Sequence, residues 1–293
     1  MDKLKPYAKQ IIKNMFNNLK IETKTPNITD EDVYINIEKL YNFINNSDYA
    51  ISTKRDYLII LSNVFKNSIH TELREFLYKK AKLYDNEHFS QEQCQTLNTH
   101  ELKNYVDYNQ LQDKLKKIFN TYELKPTLKN IQKVLILALY VLQPPLRNDY
   151  NDLKIINNDD EINDDSNYLL RHGEKYYIII NNDKVIKKHN TAEIPILDTT
   201  LKKILDLYID TYVPNNIYLF QTKNNKPYTK RQTQNMIHQL FKDENKILTF
   251  HNLRSAYITH FYKNNLDIQS RNILADKMRH SRQTAELVYC KFL

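Results

Sequence analysis

The hydrophobic pattern of this 293-residue chain changes its period twice, and this change constrains the fold more than any other feature. Apolar residues recur at helical spacing from the N-terminus to about residue 142. Strand-like runs occupy about residues 168–196, and helical spacing returns from Leu201 onward. The pattern predicts a mainly α protein with a small antiparallel β-sheet, that is, an α+β fold.

The first 95 residues predict an N-terminal helical bundle of four or five short helices joined by polar connectors. Its predicted helices are Lys5–Leu19, Val33–Ile44, a helix capped by Ser52 or Thr53, and about Thr71–Tyr84. The stretch Ile28–Asp30 offers the N-cap of the second helix.

Residues 86–106 are polar with weak periodicity, which is typical of a connection between domains. We therefore expect a helical domain at 1–95, a linker at 96–106 and a larger domain at 107–293. The first 95 residues hold 14 basic and 13 acidic side chains, so nearly all of the net charge of +8 belongs to the rest of the chain.

The strand-like region contains the only glycine in the sequence, Gly173. It separates Tyr168–Leu170 from Tyr176–Ile180, and it can supply the positive φ that a tight hairpin turn needs. A third strand is predicted at Thr191–Ile196. This single glycine persists in a chain rich in Asn, Lys, Ile and Tyr, a bias that indicates an A/T-rich coding source such as a virus or mobile element.

Charge and composition limit the class of function. The pI near 9.1 favours a polyanionic partner, either nucleic acid or an anionic membrane surface. Two cysteines exclude a disulfide framework and a thiolate metal site. No apolar run reaches the ~18 residues of a membrane span, and the first residues do not resemble a secretory signal. We expect an intracellular, soluble protein with no membrane association.

Four segments of the larger domain carry residues suited to phosphate chemistry. They are Pro144–Tyr150, His251–Arg254, Met278–Ser281 and Tyr289. Each is weak alone, and their order carries the information. Arg147 and Arg254 are permanently cationic forks that bind phosphate bidentately. His251 precedes Arg254 by three residues, so both lie on one helix face. Together with His280 and Tyr289, they form a set that can attack a phosphodiester covalently.

This order, an arginine, then His-x-x-Arg, then a histidine, then a tyrosine nine residues later, resembles the tyrosine recombinase (phage integrase) family. The resemblance covers about 120–293 by motif, and residues 1–95 resemble the family's core-binding, DNA-clamping domain by position and class only. It implies a site-specific recombinase or integrase that cleaves and rejoins double-stranded DNA through a 3′-phosphotyrosyl intermediate. It implies no cofactor and no metal.

The resemblance also assigns roles to residues. Tyr289 would be the nucleophile, Arg147 and Arg254 would bind the non-bridging oxygens, His251 would accept the proton of Tyr289, and His280 would donate a hydrogen bond to the phosphate. The family's lysine, which protonates the departing 5′-oxygen, lies in the loop between Ile180 and Thr191. Lys184 is the preferred candidate and Lys187 the alternative; Val185 stands where family members often have threonine.

Two alternatives stay open. One is a type IB topoisomerase, although His251 stands where those enzymes have lysine, and the other is a DNA-binding relative without catalysis. As a recombinase, the protein is expected to act as a homotetramer on synapsed DNA, with accessory DNA-bending proteins as possible partners, wherever its target genome lies. Only four residues follow Tyr289, so we expect either that subunit coupling uses a surface other than a further C-terminal helix or that the chain was truncated in evolution and strand exchange is inefficient.

Overall fold

A computed structural model describes residues 4–23, 25–93, 97, 99–163, 166–182 and 191–291. The chain divides into two compact units, Met1–Cys94 and Gln95–Leu293. Each unit has its own hydrophobic core.

The first unit is a bundle of five helices, as the helical spacing predicts. The helices are α1 (Pro6–Asn18), α2 (Asp30–Ile35), α3 (Ile37–Asn46), α4 (Ile51–Val64) and α5 (Thr71–Gln93). Their apolar stripes meet in a core that includes the fully buried Ile12, Leu40, Leu61 and Leu77. Burial of such stripes supplies most of the stability of short helices.

Two predicted helix starts have different outcomes. Thr29 forms a capping box with Asp32 at the start of α2, as expected from the sequence. The prediction of Ser52 or Thr53 as the cap of α4 is wrong, because the helix begins at Ile51 with Ala50 at the N-cap position and no side-chain cap. Burial of Leu58 and Leu61 holds this helix without that hydrogen bond.

Helix α5 extends nine residues past the Tyr84 end that periodicity indicates. Its last part is polar, so the hydrophobic pattern contains no signal for it. This part continues a helix that is already anchored by Leu77 and Ala81, and propagation from an existing helix is easy. A short helix, α6 (Thr99–Lys103), lies within the stretch expected to be a linker.

The second unit places helices around one sheet. Its long helices are α7 (Tyr108–Leu124), α8 (Leu128–Val141), α9 (Thr199–Leu207), α10 (Lys230–Leu240), α11 (Phe250–Asn264) and α12 (Ile268–Lys277). The short α13 (Arg282–Thr284) continues as a π-helical turn, Ala285–Tyr289. Helix α8 is buried from Val134 to Val141 and packs against α7, α9, α10 and α11, which explains why its sequence is apolar on every side.

The sheet has four strands in the order β1 (Lys154–Ile156), β2 (Tyr168–His172), β3 (Lys175–Ile180) and β4 (Ala192–Ile196). The three predicted strands form an antiparallel meander. The predicted antiparallel strands are confirmed, and a fourth strand that the sequence did not indicate, β1, pairs with β2 in parallel, so the sheet is mixed. Three residues are too few to show a period, so only tertiary pairing reveals β1.

Gly173 occupies the turn between β2 and β3 with φ of +60°. His172 pairs with Lys175 across this turn, so the loop has two residues, the length that favours turns with positive φ. The position predicted for the glycine is therefore confirmed. Among the described residues, no helix is long and apolar enough to cross a membrane.

Candidate active site

Tyr289 lies at the end of the π-helical turn and is only 7% exposed. The turn packs on α11 and α12 through a small separate core that contains Ile258, Leu274 and Met278. Directly after Tyr289, the backbone N–H of Cys290 donates to the carbonyl of Ala285 at 2.9 Å. The phenol ring is therefore held between its own turn and the helix that carries the His-x-x-Arg motif.

The guanidinium of Arg254 is a buried cation that lies against the phenol ring of Tyr289. Its guanidinium carbon lies 4.8 Å from the ring centroid of Tyr289, and the side chain is 1% exposed. Nη1 donates to the carbonyl of Pro145, and Nη2 donates to that of Met278 at 3.3 Å. The buried Nε has no hydrogen-bond partner among the residues that the structure describes, so it can serve as a donor. Burial first of all lowers the pKa of Arg254, but a guanidinium stays charged at any physiological pH.

Arg147 is half-buried in the loop after α8. The hydroxyl of the buried Tyr140 donates to the carbonyl of Arg147, and the neighbouring Asn148 accepts a hydrogen bond from the Thr233 hydroxyl at 2.9 Å. The loop is thus attached to both α8 and α10. The Pro-Pro sequence before it ends α8 and lets the chain turn toward α11.

His280 is placed by the way α12 ends. Arg279 adopts a left-handed conformation with φ of 58°, and the N–H of His280 donates to the carbonyl of Ala275. This is a Schellman ending with arginine in the position where glycine is usual. The ring of His280 stacks on Tyr289 with 5.4 Å between centroids.

The hydrogen bonds of His280 define its tautomer. Nδ1 lies 3.1 Å from the carbonyl oxygen of Ser281, which can only accept, so Nδ1 carries the proton. Nε2 is buried and has no hydrogen-bond partner in the described part of the chain. Burial, and after it the charge of Arg254, lowers the pKa of His280 to about 3, with a smaller contribution from Arg147. The side chain is neutral at pH 7, with a free lone pair on Nε2.

His251 stands in the first turn of α11, which begins at a capping box formed by Thr249 and Asn252. Its ring centroid lies 4.9 Å from that of Tyr289. One side of the imidazole is exposed, yet surrounding protein atoms remove part of its hydration. This desolvation, followed by the charges of Lys291 and Arg254, lowers the pKa of His251. A neutral imidazole beside a phenol is suited to accepting its proton.

Five of the six predicted site residues come together in the structure: Arg147, His251, Arg254, His280 and Tyr289. The predicted hairpin lysine, Lys184, lies outside the described residues, as do the alternative Lys187 and its neighbour Lys188. Among the described residues, no three His, Cys, Asp or Glu side chains gather in a group that could hold a metal ion.

Two residues of this region carry no signal in the sequence. Lys291 is buried, two positions after Tyr289, and its ammonium lies 3.8 Å from a carboxylate oxygen of Glu101 on α6. A lysine near the end of a basic chain and a glutamate in a polar stretch belong to no motif that the sequence pattern reveals. Only the packing of α6 against the first turn of α11 makes them neighbours.

Comparison with solved structures finds recombinase structures that resemble this chain at low sequence identity. The crystal structure of XerA recombinase matches with a TM-score of 0.46 and 16% identity, covering 100% of this chain and 89% of that one. The XerH site-specific recombinase bound to its difH substrate, in a pre-cleavage complex, matches with a TM-score of 0.46 and 13% identity, covering 97% and 86%. No family model matches the sequence, and no curated protein matches it.

Proposed function

We propose that this protein is a DNA strand transferase, a site-specific recombinase or integrase that works through a covalent tyrosine intermediate. The observation that carries the proposal is the convergence of Arg254, His251 and His280 on the ring of Tyr289, at 4.8, 4.9 and 5.4 Å. Arg254 and His251 come from the first turns of α11, and His280 comes from the end of α12. A structural tyrosine does not need two imidazoles and a buried guanidinium around it.

In the proposed cleavage step, the phenol oxygen of Tyr289 attacks a phosphodiester phosphorus of DNA. A bond forms between this oxygen and phosphorus, and the bond from phosphorus to the 5′-oxygen breaks. The product is a 3′-phosphotyrosyl link and a free 5′-hydroxyl. Attack by the 5′-hydroxyl of another strand reverses the step, so the energy of the broken bond is kept and no nucleotide triphosphate is required.

Two arginines stabilise the charge of the pentacoordinate transition state. Nη1 and Nη2 of Arg254 each donate one N–H to a backbone carbonyl. The second N–H of each, and the Nε that has no partner among the described residues, are the donors left for a phosphate oxygen. The half-buried Arg147 supplies the second fork. Cations preorganised in a site with little water stabilise developing negative charge far more than they do in solution.

The two histidines have different roles in this proposal. His251 is the proton acceptor for Tyr289, because its imidazole is neutral, partly exposed and beside the phenol ring of Tyr289. His280 in the free protein can accept at Nε2 but cannot donate there. Burial is the main cause of the low pKa of His280, and the positive charges of Arg254 and Arg147 lower it further. A bound phosphate offsets these charges, so binding shifts Nε2 toward the protonated form that can donate.

The remaining parts of the proposal come from the sequence resemblance. Lys184 is the proposed general acid for the departing 5′-oxygen, with Lys187 as the alternative. The bundle of the first unit is the proposed core-binding domain, and the second unit is the proposed catalytic domain. A homotetramer on two duplexes, with accessory DNA-bending proteins, is the proposed assembly.

The test uses nicked suicide DNA substrates that carry the flanks of the gene's own genomic element. Wild-type protein is expected to form a denaturation-resistant protein–DNA adduct without metal or ATP, and Tyr289→Phe is expected to bind the same DNA without forming it. The phenylalanine variant keeps the ring and its packing, so loss of the adduct reports the hydroxyl alone.

Further assays separate the alternatives. Relaxation of supercoiled plasmid by a monomer, without strand exchange between two duplexes, would identify a topoisomerase. Tight DNA binding with no adduct on any flanking sequence, and no relaxation, would overturn the catalytic proposal in favour of a DNA-binding relative.

A further inference from the structure

The chain just after Tyr289 is attached to the rest of the unit at three points. Cys290 is buried in the small core beneath the turn. The backbone N–H of Lys291 donates to the hydroxyl of Thr259 on α11 at 3.0 Å. The ammonium of Lys291 pairs with Glu101 of α6 at 3.8 Å. The first two attachments join the segment to neighbouring C-terminal elements. The third joins it to α6, which lies far away in the sequence.

Helix α6 is itself held in place against the loop before α11. The side-chain oxygen of Asn104 accepts from the N–H of Ile247 at 2.8 Å, and the carbonyl of Tyr105 accepts from the ammonium of Lys246 at 2.7 Å. Val106 is buried in the main core of the unit. These bonds hold the short helix so that Glu101, about 30% exposed, projects toward Lys291.

Both members of the ion pair lie beside His251. A small cleft is lined by Glu101, Lys291 and His251, together with Tyr105 and Ser255. Lys291 is about 8% exposed, so its ammonium is poorly screened by water and acts on its neighbours at short range. The imidazole of His251 thus faces cations from Lys291 and Arg254, the ring of Tyr289, and one carboxylate, that of Glu101.

We propose that Glu101 is a positioning residue for the reaction of Tyr289: by pairing with Lys291, it fixes the segment that carries the nucleophile and balances the positive charge around His251. This inference rests on the proposed function. Without Glu101, an uncompensated ammonium would remain in a buried site, and the segment after Tyr289 would move to hydrate it. His251 would also become a weaker base, because the carboxylate is the group that favours its protonated form.

The inference makes α6 part of the active site. This helix immediately follows the first unit in sequence, at the position predicted to be a linker. A change in the path of the chain around α6 would therefore alter the Glu101–Lys291 pair and, through it, the position of Tyr289.

The first test measures the ring protons of His251 by NMR during a pH titration of the protein without DNA. Glu101→Gln is expected to lower the pKa of His251, and Lys291→Met is expected to raise it. Glu123→Gln, an exposed glutamate on α7, is the matched control and should leave the titration of His251 unchanged. No change with either Glu101→Gln or Lys291→Met would overturn the inference, whether or not the protein cleaves DNA.

The second test measures the rate of adduct formation and the DNA affinity of the same variants. Glu101→Gln is expected to slow adduct formation by about tenfold or more, because small displacements of a reacting group cost large factors in rate, with DNA affinity within about threefold of wild type. The reversed pair, Glu101→Lys with Lys291→Glu, should recover part of the rate lost in Glu101→Lys alone.

The two proposals fail in different ways. Absence of an adduct with wild-type protein would remove the proposed function while the NMR result stands. A full-rate adduct with Glu101→Gln would remove the positioning role while the proposed function stands. Thermal unfolding of each variant shows whether a loss of rate reflects a loss of folded protein.

Discussion

The guanidinium of Arg254 lies over the ring of Tyr289, with its central carbon 4.8 Å from the ring centroid. The arginine is almost completely buried, and two of its nitrogens satisfy the carbonyls of Pro145 and Met278. One side chain thus connects the loop after α8, the end of α12 and the candidate nucleophile. We expect the Arg254 side chain to contribute to the stability of the fold as well as to the proposed cleavage reaction.

The first prediction concerns Arg254→Lys, which keeps the charge but loses the fork. Lysine cannot serve both carbonyls, and an unsatisfied buried acceptor costs about 1–3 kcal/mol. Urea unfolding should therefore show a stability loss of that size, and adduct formation should fall by about 100-fold or more. Equal stability of the variant and wild type would contradict the structural role given to the fork.

The second prediction concerns the pH dependence of stability that His280 produces. Its pKa is about 3 in the folded protein and about 6.5 when unfolded. Between these values the unfolded chain binds more protons, so stability falls as the pH is lowered through this window and is constant above it. From pH 7.5 to 5, the loss due to His280 is about 2 kcal/mol.

Urea unfolding of wild type and His280→Gln at pH 7.5 and 5 tests this prediction. The variant should lose about 2 kcal/mol less than wild type over that interval. His172→Gln, which changes an exposed histidine at the end of β2, serves as the control and should retain the wild-type pH dependence. An identical pH dependence for His280→Gln and wild type would refute the assignment of a neutral buried imidazole.

The third prediction concerns the hydrogen bond that holds the Arg147 loop. Tyr140→Phe removes the hydroxyl that donates to the carbonyl of Arg147. It should cost about 1 kcal/mol of stability and slow adduct formation several-fold, if the loop positions Arg147 for phosphate as proposed. Tyr208→Phe is the matched control, because it removes a buried donor to the carbonyl of Leu219 instead. It should cost similar stability and leave adduct formation unchanged.

The fourth prediction concerns the turn at Gly173. No atom lies within 4 Å of the position that a Cβ would occupy there, so substitution costs only backbone strain at φ of +60°. Gly173→Ala should lose about 1–2 kcal/mol, and Gly173→Asn should lose less because asparagine tolerates this conformation. Thermal or urea unfolding of the two variants measures the difference. A larger loss with Asn than with Ala would show that space, rather than φ, limits this position.

Local features of the chain could be predicted from the sequence because they depend on neighbouring residues. The helical stripes of the first unit, the cap at Thr29 and the turn at Gly173 all follow from spacing, capping chemistry or backbone freedom. The order of the motifs also predicted which side chains would meet: Arg147, His251, Arg254, His280 and Tyr289. The local features needed only residue types and their separation along the chain, whereas the set of site residues was implied by the resemblance of the motif order to a known family.

Other features were decided by tertiary structure alone. The parallel strand β1 is too short to have a pattern, and the polar end of α5 continues a helix that is anchored elsewhere. The neutral state of His280 depends on its burial and on cations from distant segments, and the pair of Glu101 with Lys291 joins residues 190 positions apart. Burial and the electrostatic field are properties of the assembled unit, because they sum contributions from groups that only folding brings together.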